Sequence, residues 1–320
     1  MAQKTIYCFG GINLDILVHP VDKWPTPGGL VQAEHVIFTP GGTAFNTALA
    51  IKKLGKNAVE LMGCIGMDDA GDKILSSVAG KGLGMGGLIR TETVNSGVCI
   101  VAIQSSGERS FIYSAGANDA VTSFSSYLDK IEAASMVHLG GVLDMVILSG
   151  AALEQIVNDL RKKNCFISFD LAWDWQLYGW ESLQAGLKHT DIVSLNEQEA
   201  MNLTGDSDLV ANADKLYSAG CPFVIIKLGS RGAYVRRSDF QGIIPGFAVE
   251  AIDTTGAGDA FCGALLTALA NGQNPLQAVR FANAVGACCV QAVGPCDGVR
   301  TYKETLEFIE TQEQASNLEE

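Results

Sequence analysis

The sequence predicts an α/β fold: a doubly wound, mostly parallel sheet with a small second sheet inserted into it. Three observations carry this. Short apolar runs alternate with amphipathic helical runs through most of the 320 residues. The apolar runs are continuous rather than alternating, as strands buried on both faces of a parallel sheet are. Two segments break the rhythm, with alternating residues around Pro- and Gly-rich turns.

Taken in order, strand-like runs fall at 6–9, 59–64, 136–139, 166–169, 192–195 and 223–228. Helix-like runs between them cover 44–54, 72–80, 148–162, 198–203 and 209–219. The first interruption, 15–39, contains the turn Trp24-Pro25-Thr26-Pro27-Gly28-Gly29. The second, 96–113, reads as strands 97–104 and 109–113 joined by Ser105-Ser106-Gly107-Glu108. Near the C-terminus, an apolar extended run (247–252) leads into a helix with Ala257, Ala260, Phe261, Ala264, Leu265 and Ala268 at helical spacing, and Thr255 is its expected N-cap. Another helix covers 276–290. The expected organisation is a core of 1–12, 40–95 and 115–310, the inserted sheet at 13–39 and 96–114, and a polar tail at 311–320 expected to fray.

Composition excludes several functions. With 48% hydrophobic and 18% charged residues, the chain has ample material for a core. Its 22 basic and 35 acidic residues give a net charge of −13, unsuited to nonspecific nucleic-acid binding. Nine cysteines without a C-x-x-C fit neither a disulfide scaffold nor a zinc ribbon and suit a reducing cytoplasm. The four histidines show no metal spacing. Residues 1–10 do not read as a signal peptide, and no run is long enough for a membrane helix. There is no P-loop. Gly82-Leu83-Gly84-Met85-Gly86-Gly87 contains G-x-G-x-x-G, but it follows a helix and precedes a strand, so it is expected to be a turn rather than a dinucleotide site.

The chemistry concentrates in Asp253-Thr254-Thr255-Gly256-Ala257-Gly258-Asp259. Gly256 and Gly258 leave the amides of a helix start unscreened, and such a terminus attracts anions. A carboxylate beside it, Asp259, can serve as base for a hydroxyl while the amides of Gly256, Ala257 and Gly258 hold charge on a transferred group. Alternatively, Asp259 only complements the helix dipole. Gly41-Gly42 before Thr43 resembles a second helix start, with Asn46 a turn in, either as a cap or as a ligand for hydroxyls.

Both segments resemble the signatures of the PfkB, or ribokinase-like, family of small-molecule kinases. Pro40-Gly41-Gly42-Thr43-Ala44-Phe45-Asn46-Thr47-Ala48 is similar to the N-terminal signature, and Asp253 to Phe261 to the C-terminal one. Between them, Asn196-Glu197-Gln198-Glu199 is similar to the family's N-x-x-E element. The resemblance runs from about Tyr7 to about Arg300. It implies a ribokinase-like fold whose inserted sheet is a lid, and a homodimer formed through that lid. It also implies an ATP-dependent kinase acting on a primary hydroxyl of a fructose- or ribose-like sugar, with Asp259 as catalytic base.

By the same resemblance, Asn13, Asp15, Gly41, Gly42 and Asn46 bind the sugar. Lys227, Gly229, Gly232 and Asn283 bind the nucleotide, although Asn283 also fits a plain core helix. Asn196 and Glu199 organise Mg²⁺ through water, or else simply start a helix with an acidic first turn. Asp253 is similar to a residue near the monovalent-cation site of some members, which makes K⁺ a candidate activator. The sequence departs from ribokinases proper at Leu139-Gly140-Gly141, where those carry an acidic sugar contact. A nucleoside kinase of the same family and a noncatalytic ligand-binding relative remain alternatives. A dehydrogenase on a similar sheet fails for want of a glycine fingerprint after the first strand.

Overall fold

A computed structural model describes residues 4–172 and 177–319, with side chains to residue 314. The first three residues of the expected core segment 1–12, and Glu320 of the tail, lie outside the described residues.

The chain opens with β1 (Ile6–Gly10), β2 (Asn13–His19) and β3 (His35–Gly41), then α1 (Thr43–Leu54), β4 (Val59–Gly66), α2 (Asp69–Gly80) and β5 (Gly84–Thr91). The hairpin β6 (Gly97–Ile103) and β7 (Arg109–Ser114) follows, then the short α3 (Ser125–Leu128), β8 (Met136–Val142), α4 (Gly150–Lys162) and β9 (Phe166–Leu171). Next come α5 (Gly179–Leu187), β10 (Ile192–Asn196), α6 (Glu197–Thr204), α7 (Leu209–Ser218) and β11 (Val224–Lys227). The chain ends with β12 (Ala233–Arg236), β13 (Gln241–Ile244), α8 (Ala257–Ala270), α9 (Pro275–Cys289) and α10 (Tyr302–Glu319).

Among the described residues nine strands form the main sheet, in the order β13-β12-β11-β10-β9-β8-β1-β4-β5. All its pairings are parallel except β11–β12 and β12–β13. Successive residues of β1 serve opposite layers, which is what double winding requires. Ile6 and Cys8 pack with α1, α8 and α9. Tyr7 and Phe9 pack with α4, α5 and α7 on the other face. The second sheet, ordered β3-β2-β6-β7, joins two antiparallel pairs through the parallel pair β2–β6. No described helix is long and apolar enough to cross a membrane.

Several expectations need correction. The extended run 247–252 joins neither sheet among the described residues. It follows Pro245-Gly246, and the N–H groups of Ile252 and Asp253 bond Val290 O at the end of α9 instead of a strand. The sheet edge is completed by β12 and β13. Thr255 does not cap α8: Gly256 does, with φ 71°, while the Thr255 hydroxyl bonds Asp253 Oδ1 at 2.6 Å. Most of the 82–87 glycine run is strand, since β5 begins at Gly84 and accommodates a register shift against Glu60 and Met62. Residues 311–319 continue α10. Helix α2 starts at Asp69 because Asp68 accepts the Gly71 N–H at 2.8 Å.

Candidate active site

Strands β1 and β8 are neighbours whose chains leave in opposite directions across the sheet, and ligands settle beyond the carboxyl ends at such a switch point. The backbones there are nearly in contact. A Cβ at Gly10 would fall 2.2 Å from Gly140 O, and one at Gly42 (φ 94°) 2.3 Å from Gly11 O. Gly140 and Gly141 are confined too: a Cβ at Gly140 would fall 3.2 Å from Ala44 N, and one at Gly141 (φ 72°) 2.9 Å from the Thr43 hydroxyl, so packing alone accounts for glycine at both positions.

Helices α1 and α8 both begin at this opening. They touch closely enough that a Cβ at Gly263 would lie 2.9 Å from Thr47 O. Their contact brings together two segments 213 positions apart: Asn46 Nδ2 donates to Asp259 Oδ2 at 2.8 Å. The Thr47 hydroxyl donates to Asp259 O at 3.4 Å. Among the described residues, Asn46 Oδ1 and the Thr43 hydroxyl are buried without a partner. Two orphaned polar atoms beside a carboxylate are what a hydroxyl-bearing ligand would satisfy.

Around Asp259 the charges are crowded. Burial, then the Asp170 carboxylate, push its pKa up to about 8 against the opposing pull of Asn46 and Lys227. Burial disfavours the charge on Lys227 as well, but Cys262, Glu199, Asp170 and Asp259 around it keep the ammonium protonated. Its Nζ forms no hydrogen bond among the described residues and lies 3.1 Å from where a Gly258 Cβ would stand. The N–H groups of Gly256, Gly258 and Asp259 find no acceptor among the described residues. That of Ala257 turns to Thr254 O at 3.4 Å. The opening of α8 thus presents free amide donors, an ammonium and a carboxylate to one space.

That space is a cleft of about 660 Å³. Lys227, Gly229, Gly232, Asn283, Asn196, Glu199 and the 256–259 turn all line it, and Phe247, Val249, Ala287 and Val290 give it an apolar end. Gly232 (φ 98°) lies against the chain at Ile244, where a Cβ would meet Ile244 O at 2.2 Å. Asn283 spends its amide on Ile244 O and Pro245 O, both at 3.0 Å, so it fixes the cleft wall. Asn196 and Glu199 form a reciprocal capping box on α6: Asn196 Oδ1 accepts the Glu199 N–H at 2.8 Å, and Glu199 Oε2 accepts the Asn196 N–H at 2.7 Å. The helix-start reading is therefore correct as far as it goes, yet Glu199 also faces the cleft. Burial raises its pKa against the pull of Lys227 and Asn196.

At the other end of the opening, Asp15 lies over Gly41, where a Cβ would fall 1.9 Å from Asp15 Oδ2. Burial pushes Asp15 up to about 7, with no basic side chain among the described residues opposing it. Asn13 is held by Asn118, whose Nδ2 donates to Asn13 Oδ1 at 2.8 Å while its Oδ1 accepts the Ile12 N–H at 3.0 Å.

Sequence reasoning missed several residues here. Asn118 is fully buried and gave no local signal. Asp144 is three positions past the glycines where a carboxylate was missing, and its Oδ2 lies 3.5 Å from a Cβ built on Gly11. Burial, then Asp15 and Asp144, push the Cys99 thiol up to about 12, which places both carboxylates around one spot. Asp170 was missed too. Against the cost of burial, His138, Lys227 and the Gly141 N–H (2.7 Å) hold it below the usual carboxylate range. His138, Asp170 and Cys262 cluster within 4.8 Å, but Lys227 already supplies their positive charge.

Asp253 stands apart from this group. Its Oδ1 accepts the Thr255 N–H (2.8 Å) and hydroxyl (2.6 Å), and its Oδ2 accepts the Gly294 N–H (2.9 Å). The Arg109 guanidinium, from the start of β7, also bonds Oδ1.

A doubly wound sheet, a second small sheet, and a cleft of amides, ammonium and carboxylates together make an arrangement suited to holding a transferred anionic group. A model of the pfkB family carbohydrate kinases matches residues 3–301, and the chain belongs to that family. It is 29% identical over 316 residues to a ribokinase of Haemophilus influenzae, covering 96% of this chain and 99% of the relative. It is 28% identical to fructokinase-1 of Zea mays, covering 96% and 98%. The structure of Arabidopsis thaliana ribokinase complexed with ribose and ATP matches with a TM-score of 0.82 at 26% identity, covering 96% of this chain and 98% of that one.

Proposed function

We propose that this kinase transfers the γ-phosphoryl group of ATP to a primary hydroxyl of a neutral sugar, fructose- or ribose-like, with Asp259 as base. The observation that carries this is the Asn46–Asp259 contact, set between an orphaned acceptor on Asn46 and open amides on α8. The sugar lies between Asn13, Asp15, Gly41, Gly42 and Asn46. Its hydroxyl oxygen forms a bond to the γ-phosphorus, the bond from that phosphorus to the β–γ bridging oxygen breaks, and the hydroxyl proton passes to Asp259. A carboxylate whose pKa burial has brought near the working pH suits that task. The free amides of Gly256 and Gly258, that of Ala257 on exchanging its long 3.4 Å bond to Thr254 O, and the Lys227 ammonium hold the charge spread over the transferred group. ADP leaves into the cleft walled by Gly229, Gly232 and Asn283.

The residues present fit Mg²⁺. The carboxyl groups of Asp170, Glu199 and Asp259 surround the Lys227 ammonium, leaving an excess of hard oxygen donors. Asn196 and Glu199 would hold the ion through water, and it would neutralise the nucleotide phosphates.

The acidic sugar end supports a neutral substrate. Among the described residues no basic side chain acts on Asp15, and Asp144 stands around the same spot, so a phosphate or carboxylate there would meet two carboxyl groups rather than a cation. The small sheet acts as a lid that excludes water. Its exposed apolar residues, Ile37, Phe38, Phe111 and Ile112, suit a homodimer formed through it. Nine free thiols suit the cytoplasm. ADP release across a panel of sugars tests the reading. We expect saturable turnover with a neutral sugar and none with sugar phosphates; ATP hydrolysis indifferent to every sugar would refute it.

A further inference from the structure

The position at which resemblance suggests a monovalent cation is built for something else. Asp253 has three donors from its own loops, the Thr255 N–H, the Thr255 hydroxyl and the Gly294 N–H, at 2.6 to 2.9 Å. The charge that remains is met by Arg109. Both side chains are largely enclosed, at 22% and 14% exposure, so the pair is screened little by solvent. The guanidinium neutralises the carboxylate and, with the two Thr255 donors, crowds its Oδ1, so the charge that K⁺ would need there is already met. The residues at Asp253 therefore do not fit K⁺.

The pair also has a structural reach that a surface ion pair lacks. Arg109 belongs to the small sheet and Asp253 to the core, 144 positions away, and among the described residues theirs is the sole ion pair joining the two. Asp253 pins two loops that shape the start of α8. Through Thr255 it sets the chain entering Gly256. Through Gly294 it holds the loop whose Pro295 lies 3.1 Å from a Cβ built on Gly256. An unneutralised carboxylate three residues before the amides would also oppose the transferred phosphoryl group.

We propose that Arg109 is the resident cation of this turn: a lid-borne positioning residue that neutralises Asp253 and makes the amide geometry at Gly256 depend on a seated lid instead of on K⁺. This rests on the phosphotransfer reading for its effect on rate, but not for its effect on the fold. Arg is suited to the task because its planar fork keeps its charge and spans a carboxylate already bonded on other sides. Turnover then couples to lid seating through a single contact.

The test compares wild type, Arg109→Lys and Arg109→Met in KCl and in tetramethylammonium chloride at matched ionic strength. Turnover, ATP affinity and melting temperature are read for each. Wild type should show no preference between the salts in any of the three. Arg109→Met should lose roughly tenfold or more in kcat, the scale of a hydrogen bond to a charged group, with ATP affinity changed little. It should regain both rate and melting temperature when K⁺ or a low concentration of guanidinium is supplied. Arg109→Lys should stay within about threefold of wild type, since the charge is kept. A wild-type kcat or melting temperature that rises with K⁺ overturns the proposal. So does an Arg109→Met variant with wild-type kcat, or one that no cation restores. The melting arm needs no turnover, so it decides the cation question even if no sugar is phosphorylated; that second result would count against the phosphotransfer reading alone.

Discussion

Replacing Asp259 by Asn isolates the proton acceptor. The amide has nearly the same size, and its oxygen can still accept the Asn46 Nδ2 bond now made at 2.8 Å. What then faces the substrate is an NH₂ donor where the reaction needs an acceptor. Loss of a general base costs about 10²–10⁴ in rate, or about 3–5 kcal/mol of barrier. ATP affinity should hold near neutral pH, where the wild-type carboxyl is largely protonated, and tighten above pH about 8, where the variant lacks a negative charge beside the γ-phosphate.

Stability provides an independent check, and its sign follows from burial. The carboxyl's folded pKa of about 8 lies above its unfolded value, so the folded chain holds a proton that the unfolded chain has released. Wild-type stability therefore falls as pH rises from the unfolded pKa, about 4, towards 8, and the Asn variant lacks that loss. At alkaline pH the variant should be at least as stable as wild type, and inactive. The dipole-complement alternative predicts the reverse: normal turnover and about 0.3–1 kcal/mol less stability. ADP release at saturating substrates and melting curves from acid to alkaline pH give both readouts. A kcat within about threefold of wild type, well short of a base's contribution, would refute the reasoning.

Three further outcomes follow. Asp15→Ala should raise the sugar KM about tenfold and leave the ATP KM unchanged, and in wild type the sugar KM should fall as pH rises through about 7, where Asp15 becomes a double acceptor; a pH-independent sugar KM removes Asp15 from the pocket. Glu199→Gln should raise the Mg²⁺ requirement without loss of melting temperature, because Gln can still accept the Asn196 N–H in the capping box; unchanged Mg²⁺ dependence places Glu199 outside the metal's surroundings. Asp144→Asn should raise the neutral-sugar KM several-fold, the scale of a charged hydrogen bond, and weaken discrimination against anionic sugars; unchanged discrimination assigns the charge selectivity elsewhere.

What the sequence reveals is what depends on local chemistry. The Gly41-Gly42 and Gly256-Ala257-Gly258 segments are visible because open amides and close backbone approach require glycine. The six parallel core strands read from the N-terminus onward are visible because burial on both faces demands continuous apolar runs. Asn118, Asp144 and Asp170 act through contacts made only once the chain is folded, and Arg109 meets Asp253 across 144 positions, so no spacing announces them. The four-residue strands β12 and β13 are too short and too mixed to carry a period. At Thr255 a valid local rule lost to a tertiary one: its hydroxyl serves Asp253, and the cap falls to a glycine that can adopt φ 71°.

Phosphorus NMR of one reaction mixture tests the central claim most directly. With ATP, Mg²⁺ and a neutral sugar, the γ-phosphate signal should give way to a phosphomonoester signal split into a triplet by two methylene protons. ADP should form one for one, and only when the sugar is present. Inorganic phosphate in place of the ester, or an ester lacking the methylene coupling, would contradict transfer to a primary hydroxyl.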